Sequence, residues 1–248
     1  MILKWHMPFY REIFAIPEFL QPPILTFGYQ GIEGIQSDAP RPPNPFIPRV
    51  RRFLASDRKM RRLMDFVRGK WAQPVPKDFQ YQSLKDLLLS KGYSITTLDY
   101  FDSRADLHYD MNQPVPAAEY NRYGTFIDIG CLEHLFDTAA CLENGMRMVR
   151  RGGCYLLHTP INGYFGHGLH VFNPQGLIDC FVGNGFKIVY LKYSTTKGKT
   201  ITDPAKHRNV ILWLVVKKEK EVPVFVCPQQ TIWATDYYPQ TVDSATAA

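Results

Sequence analysis

The chain has 248 residues, is 45% hydrophobic and 21% charged, and carries a formal net charge of +6. This is the composition of an ordinary globular protein with room for one large domain or a domain with an insertion. Five cysteines, odd in number and without a CxxC pair, argue against a disulfide framework and for a reducing cytoplasm. The opening MILKWHMPFYREIF lacks the long apolar core of a secretory leader, and the longest apolar run, VILWLVV, is too short to cross a bilayer.

PPILTFGYQG is an apolar run that stops at Gly28, with Gly31 close behind, and reads as a buried strand entering a tight turn. The Pro-rich DAPRPPNPFIP after it reads as a surface excursion. Next, RVRRFLASDRKMRRLMDFVRGK sets nine basic residues, Arg58, Arg61 and Arg62 among them, against Asp57 and Asp65. Met60, Leu63, Met64 and Val67 recur at helical spacing behind Ser56, so the segment predicts a basic amphipathic helix within an insertion of about 33–80. The plainest use of such a helix is a solvated face. A partner role for an acidic or phosphorylated small molecule is the alternative, and nucleic acid is set aside because aromatics are not regularly interleaved with the charges.

From Gln82 the rhythm changes. SLKDLLLSKGY predicts a short helix capped by Ser83 and stopped by Gly92. SITTLD, ADLHYD and TFIDIG predict three strands, the first two ending on Asp99 and Asp110. DTAACLENGMRMVRRGG predicts a helix capped by Asp137, striped by Ala139, Leu142, Met146 and Val149, and ended by Gly152 and Gly153. CYLLHT predicts a strand, and NPQGLIDCFVGNGF a helix with Asn173 as cap, Pro174 in its first turn and Gly185 past its end. KIVYLKY and NVILWLVVKK predict two more strands, followed by a tail over about 222–248 whose early aromatics can dock. Strands alternating with helices of this length indicate a doubly wound α/β sheet, here as one domain spanning 1–248.

Such sheets hold ligands beyond the carboxyl ends of their strands, which here carry Gly28, Asp99, Asp110, Asp128 and Thr159. The segment FIDIGCLEHLFD places Asp128, Glu133 and His134 on that rim. A second rim segment, NGYFGHGLHVFNP, brings Tyr164, His167 and His170, with Gly163, Gly166 and Gly168 read as freedom for the loop to close. Each of these residues also has a structural reading. Asp99 can cap its strand, Asp110 can make a turn, Glu133 can brace its own loop, and His134 can be a satisfied structural histidine. His158 falls inside a strand and is read as structural.

The order of these features resembles the class I S-adenosylmethionine-dependent methyltransferases. The likeness runs from about Ser94 to Lys217 and rests on LDYFD, YDMNQPVP, GCLEHLFD, VRRGGCYLLHTP and NGFKIVYL together. With NGYFGHGLHVFNP it extends to a subgroup resembling bacterial methyltransferases that modify sugars, polysaccharides or natural products. The resemblance implies a Rossmann-like seven-stranded sheet, mostly parallel with an antiparallel last strand, and S-adenosylmethionine as cofactor. It implies cofactor contacts from Gly28, Tyr29, Gln30, Asp99, Tyr100, Asp110, Met111, Asp128 and Gly130, with Asp99 on the ribose. Methyl transfer would go to a small-molecule or sugar-type acceptor at oxygen, with His134 or His167 as base and Glu133, Tyr164 and His170 on the substrate.

Two departures bear on this. The family's first strand usually carries a carboxylate and a GxG turn, whereas ILTFGYQG has only Gly28 and Gly31; PKDFQYQS is a competing place for the first loop, but no credible strand precedes it. Some RNA-terminus methyltransferases hold a metal with a Glu-x-x-Glu-His set and further histidines. Gly130 occupies the position three before Glu133, so no metal is expected. A methyltransferase-like binding protein without turnover stays open as an alternative, as does a nicotinamide-dependent oxidoreductase, although no GxGxxG run is present.

Overall fold

The computed structural model describes residues 2–32 and 83–229. The expected basic helix and most of the insertion around it lie outside the described residues, as do the tail residues beyond 229. No described helix is long and apolar enough to cross a membrane.

A seven-stranded mixed sheet forms the centre. Its strands are β1 (Ile24–Phe27), β2 (Ile95–Leu98), β3 (Tyr123–Ile129), β4 (Val149–Asn162), β5 (Phe186–Thr195), β6 (Thr200–Ile201) and β7 (Val210–Lys218), in the order β2-β1-β3-β4-β7-β5-β6. β2, β1, β3 and β4 run parallel, and β7 inserts antiparallel between β4 and β5. Helices α1 (Met7–Phe14), α2 (Leu84–Ser90), α3 (Thr138–Met148) and α4 (Pro174–Gly183) cover the sheet.

Side-chain alternation along the strands divides the interior into two cores. Leu25, Phe27, Phe126, Tyr155, Leu157, Leu212 and Leu214 pack in one cluster with Cys141, Leu142 and Met146 of α3 and Phe181 of α4. Ile24, Ile127, Ile129, Leu156, Ile211, Trp213 and Val215 pack in the other with Phe9, Tyr10 and Ile13 of α1 and Leu84 and Leu88 of α2. A strand's period of two sends successive side chains to opposite faces, so a sheet covered on both sides has nearly continuous apolar strands. Trp213 anchors the second cluster, lying between the rings of Phe9 and His158 at centroid distances of 4.5 and 4.1 Å. Its indole N–H donates to Ser194 Oγ at 2.8 Å. His158 is buried here, bonded to the Tyr10 hydroxyl and held well below the usual histidine pKa, chiefly by burial.

The caps at Ser83, Asp137 and Asn173 form as their spacing predicts, each side chain accepting a backbone N–H of the first turn. Three expectations are corrected. ADLHYD is not a strand: Leu107 makes a single bridge to Leu98, because the Asp106 carboxylate turns onto the Thr97 N–H and hydroxyl and pairs with Lys85. The seventh strand is instead the short β6. α3 stops at Met148, because Val149 is already extended and pairs with Tyr123 of β3. Its buried side includes Cys141, Asn144, Gly145 and Met148, while Ala139 faces solvent. MILKWHMPFYREIF supplies helix α1, which buries Phe9, Tyr10 and Ile13. The start of the tail docks, with Phe225 against the first core and the Val226 N–H on Asn184 Oδ1 at 2.9 Å.

Lys218 closes this frame. Only 3% exposed, its ammonium donates to the carbonyls of Met146 and Val149 at 3.0 and 2.7 Å, satisfying acceptors that α3 leaves open at its end. Lys218→Met should therefore cost about 1–3 kcal/mol, the penalty for buried acceptors left without donors. Lys217→Met on the neighbouring, less buried position should change stability by under about 0.5 kcal/mol. Urea unfolding midpoints of the two variants measure the difference; equal midpoints would remove this role.

Candidate functional site

The sheet order reverses at β1, with β2 on one side and β3 on the other, so the crevice beyond the carboxyl ends of these strands is the expected ligand position. Two groups of residues flank it.

The first group is built on the turn after β1. Gly28 has φ +79°, a conformation that favours glycine, and its N–H bonds to the Leu98 carbonyl at 2.7 Å. The next N–H, that of Tyr29, donates to Asp99 Oδ2 at 3.0 Å, tying the ends of β1 and β2 together. Asp99 Oδ1 accepts from the Phe101 and Asp102 N–H groups, both at 3.0 Å. Three of the roughly four lone-pair directions of a carboxylate are thus in use. Asp99 therefore braces its own turn and retains one acceptor direction for a ligand hydroxyl. Arg104 lies over the Tyr29 ring, its guanidinium carbon 4.2 Å from the ring centre, and pairs with Asp102. Tyr100 is exposed and edge-on to Phe101.

The second group is built on the loop after β3. Glu133 is 1% exposed. Its Oε2 accepts from the Thr159 hydroxyl at 3.0 Å, and its main-chain carbonyl accepts from the Leu169 and His170 N–H groups at 2.8 and 3.1 Å. Those two bonds pin the loop after β4 onto the loop after β3. As a result His134 and His167 meet, with ring centres 5.3 Å apart, and His167 Nε2 stands 3.9 Å from Glu133 Oε1. Partial burial pushes the His134 imidazole below its ordinary pKa; His167 adds to the shift and Glu133 opposes it. Tyr164, at φ +56°, stands edge-on to His167 and bonds Thr196 through its hydroxyl at 2.8 Å. His170 turns away, its Nε2 3.2 Å from the Phe136 carbonyl oxygen and its ring stacked on Phe172.

The expected closing loop is packed at both of its ends. A Cβ on Gly168 would lie 2.7 Å from the Glu133 carbonyl oxygen, and one on Gly163 2.3 Å from Asn209 Oδ1. Gly163 and Gly168 are thus needed for close approach, while Gly166, at φ +75°, has open space around it and keeps the loop tip free. Other expected site residues are occupied within the fold. Met111 is 1% exposed in the first core, so its side chain cannot face a ligand. Asp110 makes a turn, its Oδ1 accepting from the Asn112 N–H at 3.0 Å. Gly130 has φ +67° and bonds the His158 carbonyl through its N–H at 2.8 Å.

Cys131 and Thr159 carry more of the site than their sequence context indicates. The Cys131 thiol donates to the Phe27 carbonyl at 3.1 Å and accepts from Gln30 Nε2 at 3.3 Å, joining the two loops across the crevice. Together with Gln30 it fills the space beside Gly28, where a Cβ would meet Sγ at 2.6 Å and Nε2 at 2.7 Å. Burial pushes the Cys131 thiol up, so it acts as packing and a weak donor rather than as a thiolate.

Among proteins known by sequence, no family model and no curated protein matches the chain. Among solved structures, a SAM-dependent methyltransferase from Methanosarcina mazei is similar at 12% identity, with 53% of this chain and 85% of that one covered and a TM-score of 0.40. The 16S rRNA (adenine(1408)-N(1))-methyltransferase of Catenulisporales acidiphilia is similar at 10% identity, 56% and 82% coverage and a TM-score of 0.38. The 1,6-didemethyltoxoflavin-N1-methyltransferase of Burkholderia thailandensis, solved with S-adenosylhomocysteine, is similar at 14% identity, 54% and 65% coverage and a TM-score of 0.38. Similarity at this level assigns no substrate or activity to this chain.

Asp128 gives the site a measurable electrostatic signature. It is fully buried in β3, accepts from the Cys131 N–H at 3.0 Å, and is pushed up to about 7, first by burial and then by Glu133. The unfolded chain loses this proton near 3.8, while the folded protein keeps it until about 7. Between those values the native state binds more protons, so this group makes stability fall as pH rises through the window. Asp128→Asn keeps an acceptor for the Cys131 N–H and removes the titration. It should raise stability above about pH 7 by roughly 1–4 kcal/mol and leave it little changed near about pH 4. Urea unfolding at both ends of the window checks this; a variant less stable than the parent at the upper end contradicts it.

Proposed function

We propose that the chain is an S-adenosylmethionine-dependent methyltransferase acting on the hydroxyl of a small, sugar-type acceptor. The observation that carries this reading is Asp99 Oδ2 accepting the Tyr29 N–H at the Gly28 turn. It sets an oriented carboxylate, with an acceptor direction to spare, beside the crevice where the sheet order reverses. The acceptor would lie on the other flank, against Glu133, His134 and His167. Phe101, Phe136 and Phe165 are exposed on three rim loops and offer apolar walls to the C–H faces of a sugar.

When bound, the cofactor supplies an electrophilic methyl group, whose carbon bonds to the acceptor oxygen while the sulfur keeps the electron pair of the broken bond. The chain's own task is to position the hydroxyl, exclude water and receive one proton. His134, which its surroundings keep neutral, or His167 through Nε2, can receive it. Glu133, fixed by Thr159, orients the His167 side. A second reading, a catalytically weak or inactive methyltransferase-like binding or scaffold protein, is favoured by one observation: Gln30 and Cys131 fill the space beside Gly28.

Calorimetry with S-adenosylmethionine tests the first step. Asp99→Ala should weaken binding at least about tenfold, since one charge-assisted hydrogen bond contributes about 1.5–3 kcal/mol. Unchanged affinity in a folded variant would take Asp99 out of the site. Release of S-adenosylhomocysteine over a panel of hydroxylated sugars and their phosphates tests the second step. With an accepted substrate, His134→Ala or His167→Ala should lower turnover by about 10²–10⁴-fold with cofactor affinity retained. Full turnover in both variants would leave catalysis to proximity alone.

A further inference from the structure

We propose that Glu133, His134 and His167 form a binding site for one divalent transition-metal ion. Each residue offers one ligand atom, and the three atoms lie within 4.8 Å of one another. Glu133 Oε1 and His167 Nε2 are 3.9 Å apart, too far for a hydrogen bond. Two ligands each about 2.0–2.2 Å from a shared ion are separated by about 3–4 Å, so this gap suits an ion between them.

The supporting shell is already built. Thr159 takes Oε2 and leaves Oε1 towards the imidazoles, which sets the carboxylate for single-oxygen ligation. The Leu169 and His170 N–H groups on the Glu133 carbonyl, with Gly168 packed against the same residue, fix the His167 loop onto the Glu133 loop. Groups that orient ligands in this way are a regular part of metal sites. A Cβ at Gly130 would lie 3.1 Å from Oε1, so glycine there keeps the flank of that oxygen clear. The sequence argued against an ion because position 130 carries no carboxylate. The structure brings the third ligand from a different loop, as His167.

Two imidazoles and one carboxylate favour ions such as Zn²⁺, Co²⁺ or Fe²⁺ over Mg²⁺ or Ca²⁺, which prefer all-oxygen sites. Both imidazoles are exposed while Glu133 is buried, so the ion would be held from below with coordination positions open towards the crevice. Open positions of this kind are a mark of catalytic rather than structural metal sites. A hydroxyl bound there would ionise more readily and could give its proton to solvent, so with the ion present His134 and His167 would act as ligands in place of their role as base. The inference does not depend on methyl transfer, because the ion is measured without cofactor.

The test uses the untagged full-length chain, stripped with a chelator and desalted, then titrated with Zn²⁺ by calorimetry and with Co²⁺ by visible absorption. The expected result is one equivalent of each ion, with no comparable heat from Mg²⁺. His134→Ala and His167→Ala change exposed side chains, and circular dichroism checks that they fold. Each should weaken Zn²⁺ binding at least about tenfold, and the double variant should abolish the Co²⁺ spectrum while leaving S-adenosylmethionine affinity as it was. Absence of stoichiometric Zn²⁺ binding to the parent, or unchanged binding in the folded double variant, overturns the proposal. Cofactor binding with no ion bound would sink this inference and spare methyl transfer; ion binding with no cofactor bound would do the reverse.

Discussion

The rim of this sheet is organised by Glu133. Its carbonyl receives two N–H groups from the loop after β4, and its carboxylate receives the Thr159 hydroxyl from β4 itself. With the Tyr164–Thr196 and His170–Phe136 contacts, those three bonds hold His167 beside His134. The same carboxylate reaches back to Asp128, whose pKa it raises. Burial is the larger cause of that rise, and the nearby Glu133 carboxyl adds to it. Two buried carboxyl groups therefore lie beneath the exposed His134 and His167.

The two flanks of the crevice are coupled through Cys131. Its N–H caps Asp128, its thiol bonds the end of β1, and its sulfur accepts from Gln30. A displacement of the β1 turn would therefore pass to the loop that carries Glu133 over a few ångströms. This packing also explains how β1 ends without a carboxylate. The space beside Gly28 is closed by neutral side chains, and the ordering of that turn falls to Asp99 from the next strand. A ligand hydroxyl at this end of the crevice would therefore meet its carboxylate from the β2 side.

Much of this was legible in the sequence, and the failures have identifiable causes. Ser83, Asp137 and Asn173 act locally, so their capping could be read from spacing alone. Strands β1, β3 and β7 are apolar on both faces and bounded by turn residues, which makes them conspicuous. ADLHYD misled because Asp106 has the choice of extending a strand or bonding back to Thr97, and a partner nine residues away decides it. Val149 looked like the last residue of a helical stripe, but its pairing with Tyr123 is a tertiary contact that helical periodicity does not encode. Met111 stood next to a rim aspartate and was taken as a ligand contact; its apolar side chain found the core instead. The glycines of FGHGLH signal special backbone, and the sequence does not say whether that freedom serves movement or close packing. Gly168 serves close packing against Glu133, whereas Gly166 has open space around it. Residues that act through a main-chain carbonyl or a buried hydroxyl, as Glu133 and Thr159 do, leave almost no composition signal.

The charge of the crevice separates the ligand classes that share this topology. A dinucleotide brings a pyrophosphate, which such folds usually meet with a glycine-rich turn and a helix N-terminus directly after the first strand. Here the turn after β1 is followed by Gln30 and Gly31, and the next described helix, α2, begins at Leu84. Among the described residues, carboxyl groups near the crevice include Asp99, Asp110 and the buried Asp128 and Glu133, while Asp102 and Asp106 are paired with Arg104 and Lys85. A pyrophosphate beside the β1 turn would meet the Asp99 carboxylate there, since the Tyr29 N–H is already bonded to it. A ligand that carries ribose hydroxyls and no phosphate would instead find the open acceptor direction of Asp99, and a divalent cation would find the Glu133 carboxyl group. The chemistry that disfavours a nicotinamide dinucleotide therefore leaves room for a phosphate-free nucleoside on one flank and a cation on the other.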